Sequence, residues 1–409
     1  MGKYRVMQEC ERMNMDRKVE RARVYRSKVF EQMRGNFLLS GNLAEDRDLL
    51  LEFIKNTACR NPFPTIVLTG RMEMLEAMAT LPFVKISGNG VKNYHPMYGM
   101  NKQQVCRLIR QAAEEMGNLS IFDTLLPYVM AVLDIVSKRY PVSLPALEVL
   151  MECDDEYIAE LALEYGLPKE ISDSIRGNCE ASIYFRRLLT YLRRTFEHIA
   201  VKESETEHNI ITNAESGHSV TAVYQTSQNQ KLMNLYLKEE LYRALMKCRK
   251  MRVVLDEVFF WGEEDELLQF LLQMKRQERV ELIVCSESAE EMMYGNVQSF
   301  ENVCLFLHRT VPMTERLSEK VFGKYLHGSP SISVGTPPFF LFSLRRDHRW
   351  SRQQEERLRV RAADLYENGT EKLAIKLQGY ECIYLVPVSY FQKGVSGNWI
   401  NRYFIPFMD

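Results

Sequence analysis

Short apolar runs alternate with segments of helical periodicity near the start of the chain. Asn36–Gly41 and Thr65–Gly70 are apolar runs that each end in glycine, and a segment of helical length separates them. This order predicts a β-α-β unit, which favours a parallel sheet. Pro82–Gly88 has the composition of a further strand.

The pattern becomes helical from residue 101 onward. Apolar residues recur at helical spacing, turn residues separate the segments, and no strand pattern interrupts them as far as about residue 200. This predicts an all-α insertion over residues 101–207. The polar stretch 203–218 is expected to form a mobile loop or a short hairpin.

Strand patterns then return and alternate with helical ones. Strands are predicted within residues 219–227, 251–261, 280–288 and 301–308, followed by late strands in the C-terminal part. The whole pattern predicts an α/β fold, with a mostly parallel sheet flanked by helices and an inserted all-α domain. The core then comprises residues 35–100 and 208–409, preceded by a basic helical arm over 1–34.

Composition narrows the class of protein. The chain has 409 residues, 46% of them hydrophobic, and a net charge of −1, so only a local patch would attract a polyanion. The predicted N-terminal arm, residues 1–34, contains ten Lys/Arg residues and five Asp/Glu residues. The 9 cysteines include no C-x-x-C pair, which argues against a disulfide framework or a zinc site. With no signal peptide and no apolar run of membrane-spanning length expected, a cytoplasmic protein is predicted.

The sharpest chemical signal is an acidic pair at the end of a predicted strand. In RVVLDEVFFW the apolar run reaches Leu255, and Asp256 and Glu257 follow. Ligands bind at the carboxyl edge of parallel sheets. There Asp256 would hold Mg²⁺ through water, and Glu257 would orient a water for attack on a γ-phosphate. The alternative is a solvated strand end without function.

Two further residues strengthen a nucleotide hypothesis. Glu287 follows the next strand, at the position of a sensor residue. Arg276 ends the intervening helix, from which an arginine finger could reach the phosphate of a neighbouring subunit. Taken alone, Arg276 is better explained as a cation that interacts favourably with the helix C-terminus.

The stretch GNLAEDRD, residues 41–48, lies where a phosphate loop belongs but has different chemistry. The pattern G-x-x-x-x-G-K-[S/T] requires glycine, lysine and a hydroxyl at positions that Asp46, Arg47 and Asp48 occupy here, while Gly41 remains. Carboxylates in a first helical turn suit the helix dipole by themselves, and they repel a triphosphate.

A second basic stretch, SLRRDHRWSRQQEERLRVR, spans residues 343–361. It contains seven arginines, three acids and one tryptophan. A DNA-binding surface would use Arg345, Arg346, Arg349 and Trp350, since arginines bind phosphates and aromatics stack on bases. A solvated helix with i,i+4 ion pairs is favoured, because two glutamates interrupt the patch.

In their order, these segments resemble the FtsK–HerA class of P-loop ATPases, and most of all the conjugative coupling proteins of type IV secretion (TraG/TraD type). NFLLSGNLAEDRD matches the Walker A region, RVVLDEVFF the Walker B strand, and VELIVCSES the strand that ends in Gln-Ser. FENVCLFLHRTVPMTERLSEKVFG and LYENGTEKLAIKLQGYECIYLVPVSYF match later segments. The resemblance covers most of residues 36–391 and implies a RecA-like core.

The departures from that family concern the nucleotide site. Walker A lacks its second glycine, lysine and hydroxyl, the sensor glutamine is Glu287, and we expect no counterpart of the family's membrane anchor. We therefore expect a pseudo-ATPase without a bound cofactor, acting as a scaffold with protein partners in a DNA-transfer or mobile-element system, and as a possible homo-oligomer. One alternative is an active NTP-driven DNA motor that binds ATP and Mg²⁺ through Gly41, Arg47, Asp48 and Asp256. Another is a DNA-binding module that acts through the basic segments 1–34 and 343–361.

Overall fold

The computed structural model describes residues 19–23, 36–40, 63–69, 84–86, 96–196, 209–223, 230–256, 266–286, 300–306, 315–334, 348–360, 372–377, 382–387 and 399–404. The strands are β1 Val19–Arg23, β2 Phe37–Ser40, β3 Thr65–Thr69, β4 Val84–Ile86, β5 Val220–Val223, β6 Met251–Asp256, β7 Val280–Ser286, β8 Asn302–Phe306, β9 Lys324–Val334, β10 His348–Leu358, β11 Lys372–Lys376, β12 Cys382–Pro387 and β13 Trp399–Phe404.

The helices are α1 Lys102–Glu115, α2 Leu119–Arg139, α3 Leu144–Met151, α4 Asp155–Glu164, α5 Lys169–Ile175, α6 Cys179–Thr195, α7 Ile210–Glu215, α8 Gln230–Lys247, α9 Glu266–Arg276 and α10 Glu315–Phe322. The chain divides into two compact units. The first comprises Met1–Leu49 with Ser286–Asp409, and the second comprises Leu50–Cys285.

The second unit is built on parallel strands in the order β7-β6-β3-β5-β4. Strands β3 and β6 are buried along their whole length. Continuous apolar strands of this kind are typical of parallel sheets with both faces covered. The predicted α/β fold class is confirmed.

Every regular element between residues 96 and 196 of this unit is helical. Helix α1 is amphipathic and buries Val105, Leu108, Ile109 and Ala112. It begins at Asn101, whose side chain accepts from the Gln104 amide while the Gln104 side chain accepts in return from the Asn101 amide. This capping box satisfies two amides that the first turn would otherwise leave unbonded.

Helix α2 is the apolar centre of the helical segment. Within the described part of the chain it is long and apolar enough to cross a bilayer, and half of its most apolar window is buried inside the protein. The expectation that no run reaches this length was wrong. Phe122, Tyr128 and Val132 of this helix are almost fully buried, as in the core helix of a globular domain.

The first unit contains a mostly antiparallel sheet. Its strand order is β1-β13-β12-β11-β8-β2, in which only the pair β2 and β8 is parallel among the described strands. Strands β9 and β10 form a separate antiparallel pair. Helix α10 ends before Gly323, whose φ of 82° suits a residue without a Cβ atom.

Three local predictions were wrong. Residues 19–23 form strand β1 rather than part of a helical arm, because pairing with β13 overrides the helical propensity of this charged segment. Residues 348–358 form β10 rather than a solvated helix, because they pair with β9 along their length. Within the polar stretch 203–218, residues 210–215 form helix α7, which Asn209 caps through the Thr212 amide.

Candidate functional site at the carboxyl edge

Asp256 is the last residue of β6 and lies at the carboxyl edge of the parallel sheet. Five buried residues carry the strand to this point, and the aspartate itself is 0% exposed. In the register of the sheet, Asp256 stands between Thr69 of β3 and Cys285 of β7. The ends of three neighbouring strands therefore meet at one place, which is the usual position of a ligand in such sheets.

The carboxylate of Asp256 is held by a hydroxyl from the neighbouring strand. Thr69 Oγ1 donates to Asp256 Oδ2 over 2.7 Å, and both side chains are buried. A hydrogen bond to a carboxylate is roughly twice as strong as one between neutral groups. It fixes the orientation of Asp256 at the edge of the sheet.

Arg276 lies at the other edge of the same sheet. Helix α9 ends at this exposed residue just before β7 begins, and Val280 of β7 pairs with Met251 at the start of β6. Five residues of strand separate Met251 from Asp256, which corresponds to about 17 Å. The structure therefore does not bring Arg276 to Asp256 of the same chain. A finger directed at a neighbouring subunit stays a prediction.

The remaining predicted site residues fall into two groups. Arg349 and Trp350 lie in β10, opposite Ser333 and Ile332 of β9. Those outside the described residues are Gly41, Arg47, Asp48, Glu257, Glu287, Arg345 and Arg346. Their predicted roles in nucleotide or DNA binding stay predictions.

The sequence interpretation missed Thr69. The run TIVLTG predicts a strand that ends in glycine, and its pattern alone gives Thr69 no role in the site. The signal was a polar residue at the last position of an apolar strand, the same position that Asp256 has in its own strand. Because parallel neighbours align in register, two such strand ends meet, but only the sheet order shows that β3 and β6 are neighbours.

The sequence interpretation also missed a buried ion pair at the amino edge of the parallel sheet. Arg252 is 2% exposed, and its Nη2 donates to Glu281 Oε2 over 2.7 Å. Lys250 reaches the other oxygen of Glu281 over 3.1 Å. Burial lowers the pKa of Arg252, while the charge of Glu281 and the hydrogen bond that Arg252 donates to it act in the opposite direction.

One face of helix α8 fastens the helical segment to the sheet. Glu239 accepts from Gln104 Nε2 over 2.9 Å and from Arg107 Nη2 over 2.8 Å, both on α1. Glu240, which is fully buried, accepts from the Ile210 amide at the start of α7 over 2.8 Å. In the sequence these adjacent glutamates resemble a solvated helix face, so the network was not predicted.

Similarity to solved structures was found at the level of fold. The bacterial conjugative coupling protein TrwBdeltaN70, in its unbound monoclinic form, matches with a TM-score of 0.51 and 12% identity, over 90% of this chain and 92% of that one. Its trigonal form in complex with sulphate matches with a TM-score of 0.50 and 13% identity, over 91% of this chain and 94% of that one. VirB4 of Thermoanaerobacter pseudethanolicus matches with a TM-score of 0.39 and 13% identity, over 66% of this chain and 76% of that one.

No protein-family model matches the sequence, and no curated protein matches it either. The two TrwBdeltaN70 structures cover nearly the whole of both chains, so they concern the complete fold rather than one motif. The chain has the fold of a conjugative coupling protein, as the order of the sequence motifs predicted.

Proposed function

We propose that this chain is an ATPase-like subunit that has lost nucleotide hydrolysis and serves as a cytoplasmic scaffold in a DNA-transfer or mobile-element system. One observation carries the proposal. The fold of a conjugative coupling protein extends over 90% of the chain, while Asp46, Arg47 and Asp48 stand where a phosphate loop requires glycine, lysine and a hydroxyl. The fold is retained, whereas the loop residues that would bind a triphosphate are replaced by others.

The charges that follow the strands support this proposal. Residues 257–266, after β6, contain five carboxylates, and residues 287–291, after β7, contain three, with no lysine or arginine in either segment. A site for a triphosphate normally presents cations and backbone amides to the phosphates. Carboxylates that follow these strands so closely in the sequence would raise the electrostatic cost of binding a polyanion there.

An active NTP-driven motor is the second candidate, and the geometry of Asp256 favours it. The carboxylate lies at the carboxyl edge of the parallel sheet, and the bond from Thr69 holds it in a defined orientation. These features fit an aspartate that holds Mg²⁺ through water. In that case Glu257 would polarise the attacking water and Arg47 would replace the lysine of the loop.

Nucleotide binding by the full chain separates the two candidates. The melting temperature is measured with and without Mg-ATP, and phosphate release is measured in parallel. We expect no shift at millimolar ATP and no phosphate release above that of buffer. A saturable shift, together with phosphate release that E257Q abolishes, would establish the motor instead.

A restored variant tests the electrostatic reason directly. The triple change D46G/R47K/D48T returns the loop to the phosphate-binding pattern. If the carboxylates are what prevents binding, Mg-ATP stabilises this variant and not the parent. The matched control R47K alone keeps both aspartates and is expected to remain unresponsive. A control that responds as strongly as the triple variant would contradict the explanation.

A further inference from the structure

Helix α8 contacts the helical segment and carries the chain from one edge of the parallel sheet to the other. Strand β5 is parallel to β3 and ends at the carboxyl edge, where Thr69 and Asp256 also end their strands. The 18 residues of α8 follow, and β6 then begins at the amino edge with Met251. The first turn of α8 therefore belongs to the carboxyl edge, and its last turn to the amino edge.

The middle of α8 is held by buried contacts. Leu232, Tyr236, Glu239 and Glu240 follow the spacing i, i+4, i+7 and i+8, which places them on one face of the helix. The Tyr236 ring lies 4.5 Å from the ring of Phe196 at the end of α6, and both side chains are fully buried. Glu239 and Glu240, with their bonds to α1 and α7, are buried as well. This part of the helix is firmly attached.

The start of α8 is held by one carboxylate from another helix. Glu115, the last residue of α1, accepts from the Leu232 amide over 2.8 Å and, with its other oxygen, from the Tyr191 hydroxyl of α6 over 2.9 Å. Leu232 is the third residue of α8, so its amide has no acceptor within the helix. We call Glu115 with these two bonds the Glu115 latch. It joins three helices through a single side chain.

The Glu115 latch is weaker than the contacts in the middle of α8. Glu115 and Tyr191 are only half-buried, so water can replace their bonds when they open. Burial, and secondarily the hydrogen bond to Glu115, raises the pKa of Tyr191 to about 12, so the hydroxyl keeps its proton at neutral pH. Because elements with less buried contact open first, the first turn of α8 should open before the middle of the helix does.

We propose that the Glu115 latch is a conformational switch through which the helical segment controls the first turn of α8 at the carboxyl edge. When Tyr191 moves away from α1, Glu115 loses one of its two bonds and the first turn is released. The buried contacts farther along hold the rest of α8 in place. A partner that binds the helical segment more tightly in the open state shifts the equilibrium toward it. The inference goes beyond the proposed function and holds with or without nucleotide.

Native-state hydrogen exchange of the full chain, in urea well below the unfolding midpoint, tests the switch without any substitution. We expect the amides of residues 234–236 to exchange through an opening that exposes little surface, so their exchange depends weakly on urea. The amides of residues 240–245 should show the steep urea dependence of global unfolding. Equal slopes would mean that the first turn opens only when the whole unit unfolds, and would overturn the proposal.

Variants of the Glu115 latch locate the effect. E115A removes both bonds and should speed exchange of residues 234–236 by about tenfold, as loss of a helix cap does, while residues 240–245 stay unchanged. Y191F removes one bond, keeps the cap on Leu232 and should give a smaller acceleration at the same residues. The matched control is E148A, which removes a half-buried glutamate that bonds Arg193 and links α3 to α6. It should leave residues 234–236 unchanged.

Two results with these variants would overturn the switch. One is equal acceleration in E115A and E148A, and the other is an acceleration in E115A that extends equally over residues 240–245. Should E115A fail to fold, the urea slopes of the parent and of Y191F decide, since both keep the cap. Equal urea slopes without a thermal shift by Mg-ATP would overturn this inference alone. A thermal shift by Mg-ATP with unequal slopes would overturn the proposed function alone.

Discussion

The hydroxyl of Thr69 donates a 2.7 Å hydrogen bond to the carboxylate of Asp256, where two adjacent parallel strands end. The pair joins residues that lie 187 positions apart in the sequence. It fixes the orientation of the one acidic residue that the sequence placed at a nucleotide site and that the structure describes. The candidate site thus depends on a contact that is also part of the buried sheet.

Replacing Thr69 by valine should destabilise the second unit. T69V keeps the shape of the side chain but removes the donor to a buried carboxylate, which costs about 1.5–3 kcal/mol of unfolding free energy. T69S keeps the hydroxyl and should cost less than about 1.5 kcal/mol, the range for loss of one methyl group. Urea unfolding measures the free energy of unfolding of both variants. Equal losses in the two variants would show that the hydrogen bond contributes little.

Truncation of Glu239 should loosen the attachment of helix α8 to α1. E239A leaves Gln104 Nε2 without its carboxylate acceptor in a buried position, and we expect a loss of about 2–3 kcal/mol. The control is E266A, which removes a glutamate that is 64% exposed and paired with Lys238, and exposed pairs contribute about 1 kcal/mol or less. Denaturant unfolding of both variants tests the difference, and comparable losses would contradict it.

Arg252 should contribute more to stability than Lys250, although both pair with Glu281. R252M removes the buried partner of the carboxylate and should cost about 3 kcal/mol, at the lower end for buried pairs because Lys250 still contacts Glu281. K250M removes the partly exposed partner and should cost about 1 kcal/mol or less. Thermal unfolding shows which of the two variants, R252M or K250M, loses more stability. A larger effect of K250M would mean that burial does not set the contribution.

Lys376 should make the stability of the first unit depend on pH in the alkaline range. Burial, and secondarily the charge of Arg359, lowers the pKa of Lys376 from its ordinary value of 10.5. Between the lowered pKa and 10.5 the unfolded chain binds a proton that the folded chain does not, so stability rises with pH in that window. Below the lowered pKa the full penalty of the buried charge is present.

Methionine at this position removes the titrating group. K376M should therefore unfold with a shallower rise of stability, or a steeper fall, than the parent as the pH is raised through that window. Urea unfolding at several alkaline pH values gives the difference between parent and variant, in which contributions from other groups cancel. Parallel pH profiles would contradict the assignment.

Much of the secondary structure follows from local pattern. The run before Asp256 predicted β6 because an unbroken apolar stretch of strand length fits a sheet covered on both faces. The helices after residue 101 followed from apolar spacing near 3.6 residues. Strand β1 and strand β10 did not follow, since their charged sequences become strands only through pairing with β13 and β9.

The amino-acid sequence was sufficient to predict the fold class, the coupling-protein order of segments, the carboxylates in the place of a phosphate loop, and Asp256 as the candidate metal-binding residue. Tertiary structure alone decided which strands are neighbours. That order joins Thr69 to Asp256, places Arg252 against Glu281 and puts Arg276 at the edge opposite Asp256. The packing of α8 against α1 and α7 buries Glu239 and Glu240. The physical reason is that hydrophobic periodicity specifies local conformation and the buried face, whereas a polar side chain acquires its partner only when distant segments pack together.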